Sequence, residues 1–556
     1  MAGPPDEDRC SAVRAYHSVS KHRPGAFAPS PGRMDWANQP DPWRRFAGCE
    51  TVDLPLTDAT GRRAFADIGE VPEGSDTPAT LEALGLVLEL GLGVSAWKSF
   101  GSNRWALRNN PSSGNLHPVE AYVVAVDIVG LAPGLYHYCP RDHLLERRCR
   151  FSAADRDGLK ARFGDAPLLV GVASIDWREI WKYGIRGWRY SRHDEGHAFA
   201  SLRIAMTVAG WRAKLDPALP NCEAARLLGL DRPQDFGDAE TESPSFLVRV
   251  ATAPSPDGET AQDMPAESEW SGQANRLSRE TLAWPEVEAI SGALIDSDPG
   301  TLVAPFDFQI DGLAAIAPEG DAAGIIRRRR SAVDMDGKTG LPLTGFVRMM
   351  GALLPDRRRA PFDAFPYATA IHLLIYAHRI EGLAPGLYLL SRHPSRVSAL
   401  FEACRRDGLE PVPVEGLPLP FWRLIAPADA RPAAKTASCN QDIAADGAFA
   451  VSMIADFSHT LGIEGADAYR RLFHECGLLG QILYLEAEAQ GVAGTGIGCF
   501  LDDRVHAYLG LDPDGDWQCL YNFAVGRAVL DERLTTDPGY PAAMRDARRP
   551  VRRSAN

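Results

Sequence analysis

The sequence predicts an α+β protein of two tandem domains that pair within one chain, and two repeats and one break in composition predict it. The heptapeptide Gly-Leu-Ala-Pro-Gly-Leu-Tyr stands at Gly130 to Tyr136 and again at Gly382 to Tyr388, 252 residues later. Further along, the offset becomes 281 and holds: Gly196 matches Gly477, Gly210 matches Gly491, and Leu228-Gly229-Leu230-Asp231 matches Leu509-Gly510-Leu511-Asp512. Between the copies, Pro254 to Glu280 is polar, rich in Pro, Ser and Glu, and carries neither hydrophobic period, which is the composition of a linker. The expected organisation is domain 1 over 1–253, a linker over 254–280 and domain 2 over 281–556.

Each heptapeptide follows a β-branched, apolar run, Val119 to Val129 and Ile371 to Ile380, and precedes a second short run. A strand, a Pro-Gly turn and a strand follow from that pattern. After Gly196 and Gly477 the apolar residues recur at helical spacing, Ala198, Leu202, Ala205 and Met206 against Leu479, Ile482, Leu483 and Leu485. The second copy is longer in its middle, where Pro411 to Ala445 is rich in Pro and Ala, and Asp231 to Pro244 reads as an expanded loop of the first. The tail from Arg545 to Asn556 is basic and poor in apolar residues, so fraying is expected there.

A chain of 556 residues is too long for one hydrophobic core. Its composition, 45% hydrophobic and 24% charged, is that of a soluble globular protein, and a net charge of -14 leaves no basic footprint for nucleic acid. The expected partner is a small molecule or a protein. Met1 to Cys10 is polar, and no run of 18 apolar residues follows, so a cytoplasmic protein without a membrane segment is expected. The ten cysteines never form C-x-x-C, which points to reduced thiols and not to a zinc knuckle. His193 and His197 have i, i+4 spacing, but His-Asp-Glu-Gly-His fits neither zinc-helix order, and helix packing is the expected role; no metal is expected.

Three segments could carry chemistry. Arg108 to Glu120 brackets two hydroxyls, an amide and a glycine between prolines immediately before a strand, a rigid polar loop suited either to a flat heterocycle or to a capped turn. Arg327-Arg328-Arg329-Arg330-Ser331 offers guanidinium forks and a hydroxyl, which suit a terminal phosphate or form a solvated basic patch. Gly494-Thr495-Gly496-Ile497-Gly498 and Gly526-Arg527 offer close backbone approach and another cation, without the strand-to-helix context of a dinucleotide fold.

Arg108 with Pro111-Ser112-Ser113-Gly114-Asn115-Leu116-His117-Pro118, Lys182-Tyr183-Gly184 leading to Gly196-His197, and the opening Tyr16-His17-Ser18-Val19-Ser20 resemble the SagB-type azoline dehydrogenases of the nitroreductase superfamily. In the second copy Arg329-Arg330-Ser331, Gly480 to Leu485, Gly496-Ile497-Gly498 and Gly526-Arg527 look like the rest of that pattern, while Val333 stands where the family often has a basic residue. The resemblance implies a nitroreductase-like α+β fold and non-covalent FMN at a dimer interface. It implies that Arg327, Arg329, Arg330, Ser331, Gly496, Ile497, Gly498 and Arg527 come from one side, and Arg108, Pro111, Ser112, Ser113 and Asn115 from the other. At offset 252 the Pro-Ser-Ser loop falls on Asp363 to Ala370, where the serines and asparagine are gone, and the first copy has no Arg-Arg-Ser before Leu81. The losses are complementary, so one intact composite site and one blind one are expected.

The resemblance also implies that Lys182 and Tyr183 remove a proton while hydride passes to the flavin, the lysine helped by burial; the alternative is a surface lysine and a core tyrosine. The second copy has Ile463-Glu464 there. The expected activity is oxidation of azoline rings to azoles in a modified peptide or related small molecule, beside a cyclodehydratase-type biosynthetic partner. Two alternatives stay open: an NAD(P)H-dependent nitro or quinone reductase, and a flavin-poor scaffold that presents peptide to that partner.

Overall fold

Unbroken apolar runs form strands here because helices cover both faces of each sheet. The computed structural model describes residues 6–71, 74, 77–217, 219–253, 265–295, 303–404, 409–418, 421–424 and 428–549. In the first half Val119–Ala125 (β1), Gly134–Cys139 (β2), Leu144–Arg150 (β3), Leu168–Ser174 (β4), Arg212–Leu215 (β5) and Ser243–Ala251 (β6) make an antiparallel sheet in the order β3-β2-β1-β4-β6-β5. In the second half Ile371–Ala377 (β7), Gly386–Leu390 (β8), Phe421–Leu424 (β9), Phe449–Asp456 (β10), Ala493–Ile497 (β11) and Trp517–Gly526 (β12) take the same order of counterparts, β9-β8-β7-β10-β12-β11. The two heptapeptide turns close in the same way: the Tyr136 hydroxyl donates to Ala132 O at 2.9 Å and the Tyr388 hydroxyl to Ala384 O at 2.6 Å.

Six helices matter for the site: Asp6–Val19 (α1), Leu81–Leu92 (α2), Trp177–Tyr183 (α3), Gly187–Val208 (α4), Ala322–Arg328 (α5) and Ala468–Ala489 (α6). The long helices α4 and α6 have 22 residues each, and every residue of α4 is buried, as expected of a helix wrapped on all sides. They cross where the repeated glycines lie. A Cβ on Gly196 would stand 2.2 Å from His474 O, and one on Gly477 would stand 2.1 Å from His193 O. His474 follows His193 by 281 residues, as Gly477 follows Gly196, so the contact is its own image under a pseudo-two-fold axis.

The halves also exchange arms. From the first, α1 lies on the second half, with Arg14 Nη1 donating to Ser458 Oγ at 2.8 Å and His17 Nε2 3.1 Å from Gln518 Oε1. From the second, Thr535–Pro538 adds a strand to Val94–Phe100, and the Tyr540 hydroxyl accepts Val94 N–H at 3.0 Å and donates to Pro140 O at 2.7 Å.

Two compositional expectations change. Residues 265–280, read as linker, are folded onto the first half: Glu269–Trp270 pairs with β3, Gln273–Ala274 pairs with Phe46–Ala47, and the Glu240 carboxylate accepts from Leu277 and Ser278 N–H, both at 2.8 Å. Polar edge strands look like linker in composition because they bury few side chains. The tail is anchored as far as Arg548: Arg545 pairs with Glu89 at 2.5 Å, and Arg548 Nη1 donates to Asp142 O at 2.7 Å and to His143 O at 2.8 Å. Residues 254–264 of the expected linker and 550–556 of the tail lie outside the described residues. Among the described residues no helix is long and apolar enough to cross a membrane.

Candidate functional site

The strand Asn103–Arg108 delivers the Pro-Ser-Ser loop to the interface between the halves. Arg108 is fixed by its donors, Nη1 to Val119 O at 3.2 Å and Nη2 to Pro42 O at 2.8 Å. Within the loop Ser112 Oγ accepts His117 N–H at 2.7 Å, and Asn115 Nδ2 donates to Ala106 O at 2.9 Å. Beneath it lie two buried acids. Ser112 Oγ donates to Glu179 Oε1 at 3.4 Å, and Ser113 N–H donates to both Asp194 oxygens at 3.2 Å. Gly114 takes φ +60°, and a Cβ there would lie 2.5 Å from the Tyr183 hydroxyl and 2.9 Å from Lys182 Nζ. The predicted Lys-Tyr pair therefore backs directly onto the loop, with Lys182 Nζ 5.1 Å from the Tyr183 ring centroid.

From the second half, Arg329 follows α5, donates through Nη2 to Arg108 O at 2.8 Å, and lies 4.9 Å over the Tyr484 ring of α6. Arg330 is held by backbone oxygens of Arg327, Arg329 and Ser95 at 2.8, 2.7 and 3.0 Å. The Tyr484 hydroxyl accepts both Ser331 Oγ and Gly496 N–H at 2.9 Å. Gly496 has to be glycine because a Cβ would fall 1.9 Å from the Tyr521 hydroxyl, which itself lies 3.1 Å from His197 Nε2.

These parts enclose a cavity of about 330 Å³ lined by Arg108, Asn110, Pro111, Ser112, Ser113, Gly114, Asn115, Asp194 and His197 of the first half and Arg329, Arg330, Ser331, Tyr484, Gly496 and Tyr521 of the second. A second cavity of about 990 Å³ adjoins it, sharing Lys98, Arg330, Ser331 and Val333, and is lined also by Arg327, Arg328, Arg527, Arg545 and Arg549. Both volumes fall in the range of small-molecule sites. Arg327 and Arg527 thus face the larger, basic cavity, and Arg327 is paired there with Glu89 at 3.0 Å. Ile497 and Gly498 line neither cavity; Gly498 O accepts the Tyr190 hydroxyl at 2.9 Å and Arg186 Nη2 at 3.2 Å. Lys182 and Tyr183 sit behind Gly114 and not on the cavity wall.

Several polar atoms around the smaller cavity are buried without a partner among the described residues: both side-chain atoms of Asn110, Nε of Arg108 and Arg329, and Nδ1 of His197. Unpaired groups of this kind cost free energy unless something enters to bond them. Burial holds Arg108 and Arg330 down at about 10 and His197 down at about 3, so that imidazole is neutral. Burial pushes Asp194 up to about 8 and, with Asp194 beside it, lifts Glu179 well above the carboxylate range. Burial keeps Tyr183 well above 10, a neutral phenol. His193 stacks on Tyr521 at 4.2 Å between centroids, so the histidines that are spaced for zinc pack on one tyrosine.

Sequence reasoning missed Glu179, Lys98 and Tyr521, and held Asn110, Asp194 and Tyr484 only inside motifs, without a place in the site. A signal existed for Glu179, which stands one helical turn before Lys182 and Tyr183 on α3. The place that mirrors the cavity is filled. Arg203 stands 281 residues before Tyr484 and Asp363 stands 252 after Pro111, and the two are paired at 2.7 Å. Nearby, Ile204, Phe362 and Ile482 line only about 30 Å³. Glu464, in the position of Tyr183, is paired with Arg471 at 3.2 Å.

Residues 408–527, in the second half, match the model of the nitroreductase family. A protein of Methanocaldococcus jannaschii, provisionally named as a nitroreductase, is 29% identical over 144 residues, 25% of this chain and 69% of its own. The crystal structure of a protein from Anabaena variabilis, also provisionally assigned as a nitroreductase, superposes with a TM-score of 0.66 at 20% identity, covering 93% of this chain and 99% of its own. The fold is therefore nitroreductase-like along nearly the whole chain.

Proposed function

We propose that this chain is an FMN-dependent oxidoreductase of SagB type that oxidises azoline rings of a modified peptide to azoles, next to a cyclodehydratase-type partner that makes those rings. One observation carries the reading: a cavity between the halves is walled by the Pro-Ser-Ser loop on one side and by Arg329, Ser331 and Gly496 on the other, with Asn110 and Arg329 Nε buried and unpaired. The donor set fits FMN. Asn110, Arg108 and Arg329 offer bonds to a polar heterocycle, and where the two cavities meet and beyond, Arg330, Lys98 and Arg527 offer charge and Ser331 a hydroxyl to a phosphate. When bound, FMN supplies a two-electron acceptor for hydride.

The chain's own residues handle the proton. An azoline ring that loses hydride must also lose H⁺, and the resemblance gives that proton to the Lys182–Tyr183 pair, one layer behind the cavity wall at Gly114. Tyr183 stays a phenol, which makes it a hydrogen-bond donor beside Lys182. Glu179, one turn earlier, holds Ser112 and so fixes the loop over the pair.

Lys182→Ala and Tyr183→Phe are expected to keep FMN and slow azoline oxidation by about 100-fold, within the range of a positioned general base. Glu464→Ala should leave turnover unchanged. Turnover is followed by mass loss of the peptide, and flavin by absorbance. Wild-type azoline turnover in both variants would remove the pair from the mechanism; flavin reduced by NAD(P)H with no azoline turnover in the wild type would move the preference to the NAD(P)H reductase, and a colourless protein would return the reading to the scaffold.

A further inference from the structure

Two cysteines outside the cavity face one another across the stretch by which the second copy is longer. Cys439 follows the helix Arg431–Ala437, and Cys499 follows the glycine segment whose Gly496 lines the cavity. Their sulfurs are 2.8 Å apart. The two segments are joined on both sides of that contact, Leu501 N–H donating to Ala437 O at 2.7 Å and Gln441 Nε2 to Cys499 O at 3.0 Å, and Asn522 Nδ2 of β12 donates to Ser438 Oγ at 3.1 Å. Cys439 holds its sulfur there in the left-handed region, at φ +54°, a conformation a non-glycine residue adopts at a cost.

Both thiols are partly exposed, whereas Cys139, Cys149, Cys404, Cys476 and Cys519 are buried. The pair is also chemically unequal. The Cys439 thiol bond, then His22 and Arg186, hold Cys499 down at about 5 against burial, while the same contact pushes Cys439 up. A lowered thiol in contact with a raised one matches an attacking and a resolving cysteine.

We propose that Cys499 and Cys439 form a thiol–disulfide exchange site for a low-molecular-weight disulfide of the glutathione class. The Cys499 thiolate attacks one sulfur of the small disulfide, a mixed disulfide forms, and one small thiolate leaves and takes a proton from solvent. Cys439 then loses its proton and attacks Cys499 Sγ, the internal bond forms, and the second small thiol leaves. Two protein thiols are oxidised and one small disulfide is reduced to two thiols. The bond ties the added stretch of the second half to the glycine segment at the cavity wall, and its formation needs no flavin.

The test is to incubate the full chain with oxidised glutathione and map its peptides without reduction. The expected result is a cross-linked pair containing residues 439 and 499, two fewer titratable thiols, and reversal by dithiothreitol. Cys439→Ser should instead accumulate one glutathionyl group on Cys499, because the resolving thiol is gone, and Cys499→Ser should modify Cys439 more slowly than that, because burial still raises its thiol. The proposal is overturned if the wild-type chain keeps both thiols free after the exposed Cys222 has reacted, if glutathione stays on Cys499 without a cross-link, or if Cys439 is captured as fast in Cys499→Ser. The wild-type map alone decides between the first two outcomes and the cross-link, whatever the variants' folding.

Discussion

Glu179 and Asp194 are buried beside one another under the Pro-Ser-Ser loop, and among the described residues neither makes an ion pair. An uncompensated carboxylate in such a place keeps its proton. Unfolded, Asp194 would release that proton near pH 4; folded, it holds it up to about 8. Between those values the folded chain binds more protons than the unfolded one, so stability falls as pH rises through that window. The wild-type melting temperature should therefore drop between pH 5 and pH 8, by roughly 1 °C for each kcal/mol lost, and the Asp194→Asn variant should drop less. Thermal melts at the two pH values measure this, and equal slopes would place the proton elsewhere. The loop's serines and Arg329, Ser331 and Gly496 were legible as motifs. The acids beneath were not, because spacing does not reveal which carboxylates a fold will bury.

At the crossing of α4 and α6 the main chains touch through Gly196 and Gly477. A methyl group at either position meets a carbonyl oxygen, which no side-chain rotamer can relieve. Gly196→Ala and Gly477→Ala should each destabilise the chain by about 1–3 kcal/mol, the usual cost of overpacking. Gly158→Ala is the comparison: it lies in the helix Ala153–Phe163 with nothing within 4 Å of the added carbon, and it should be neutral or stabilising by roughly 0.5–1 kcal/mol. Urea midpoints of the three variants check the difference, and equal loss at Gly158 would refute the contact explanation. Because α4 carries Asp194 and His197 and α6 carries Tyr484, a shift at the crossing reaches the cavity wall. The two glycines were visible in the sequence as a constant offset. Their reason was not, since a glycine that admits another helix reads the same as one that ends a helix.

Across the whole molecule, the open cavity and its filled mirror place make one site. We expect one FMN per chain on acid extraction; two per chain would contradict the Arg203–Asp363 plug. The two halves and the sorting of motifs between them could be read from the repeat, because equal offsets survive where local composition drifts. The exchanged arms could not. Thr535–Pro538 pairs with Val94–Phe100 across more than 430 residues of sequence, and nothing local to either segment announces a partner so distant.

The arms have a consequence for dilution. In a flavin site shared by two separate chains, the fraction assembled depends on chain concentration and falls as the solution thins. Here each half holds a segment of the other, α1 on one side and Thr535–Pro538 with Tyr540 on the other. Meeting of the two walls is then an event within one molecule, set by a fixed effective concentration and not by abundance. A cell holding few copies keeps as large a fraction of its sites complete as a cell holding many.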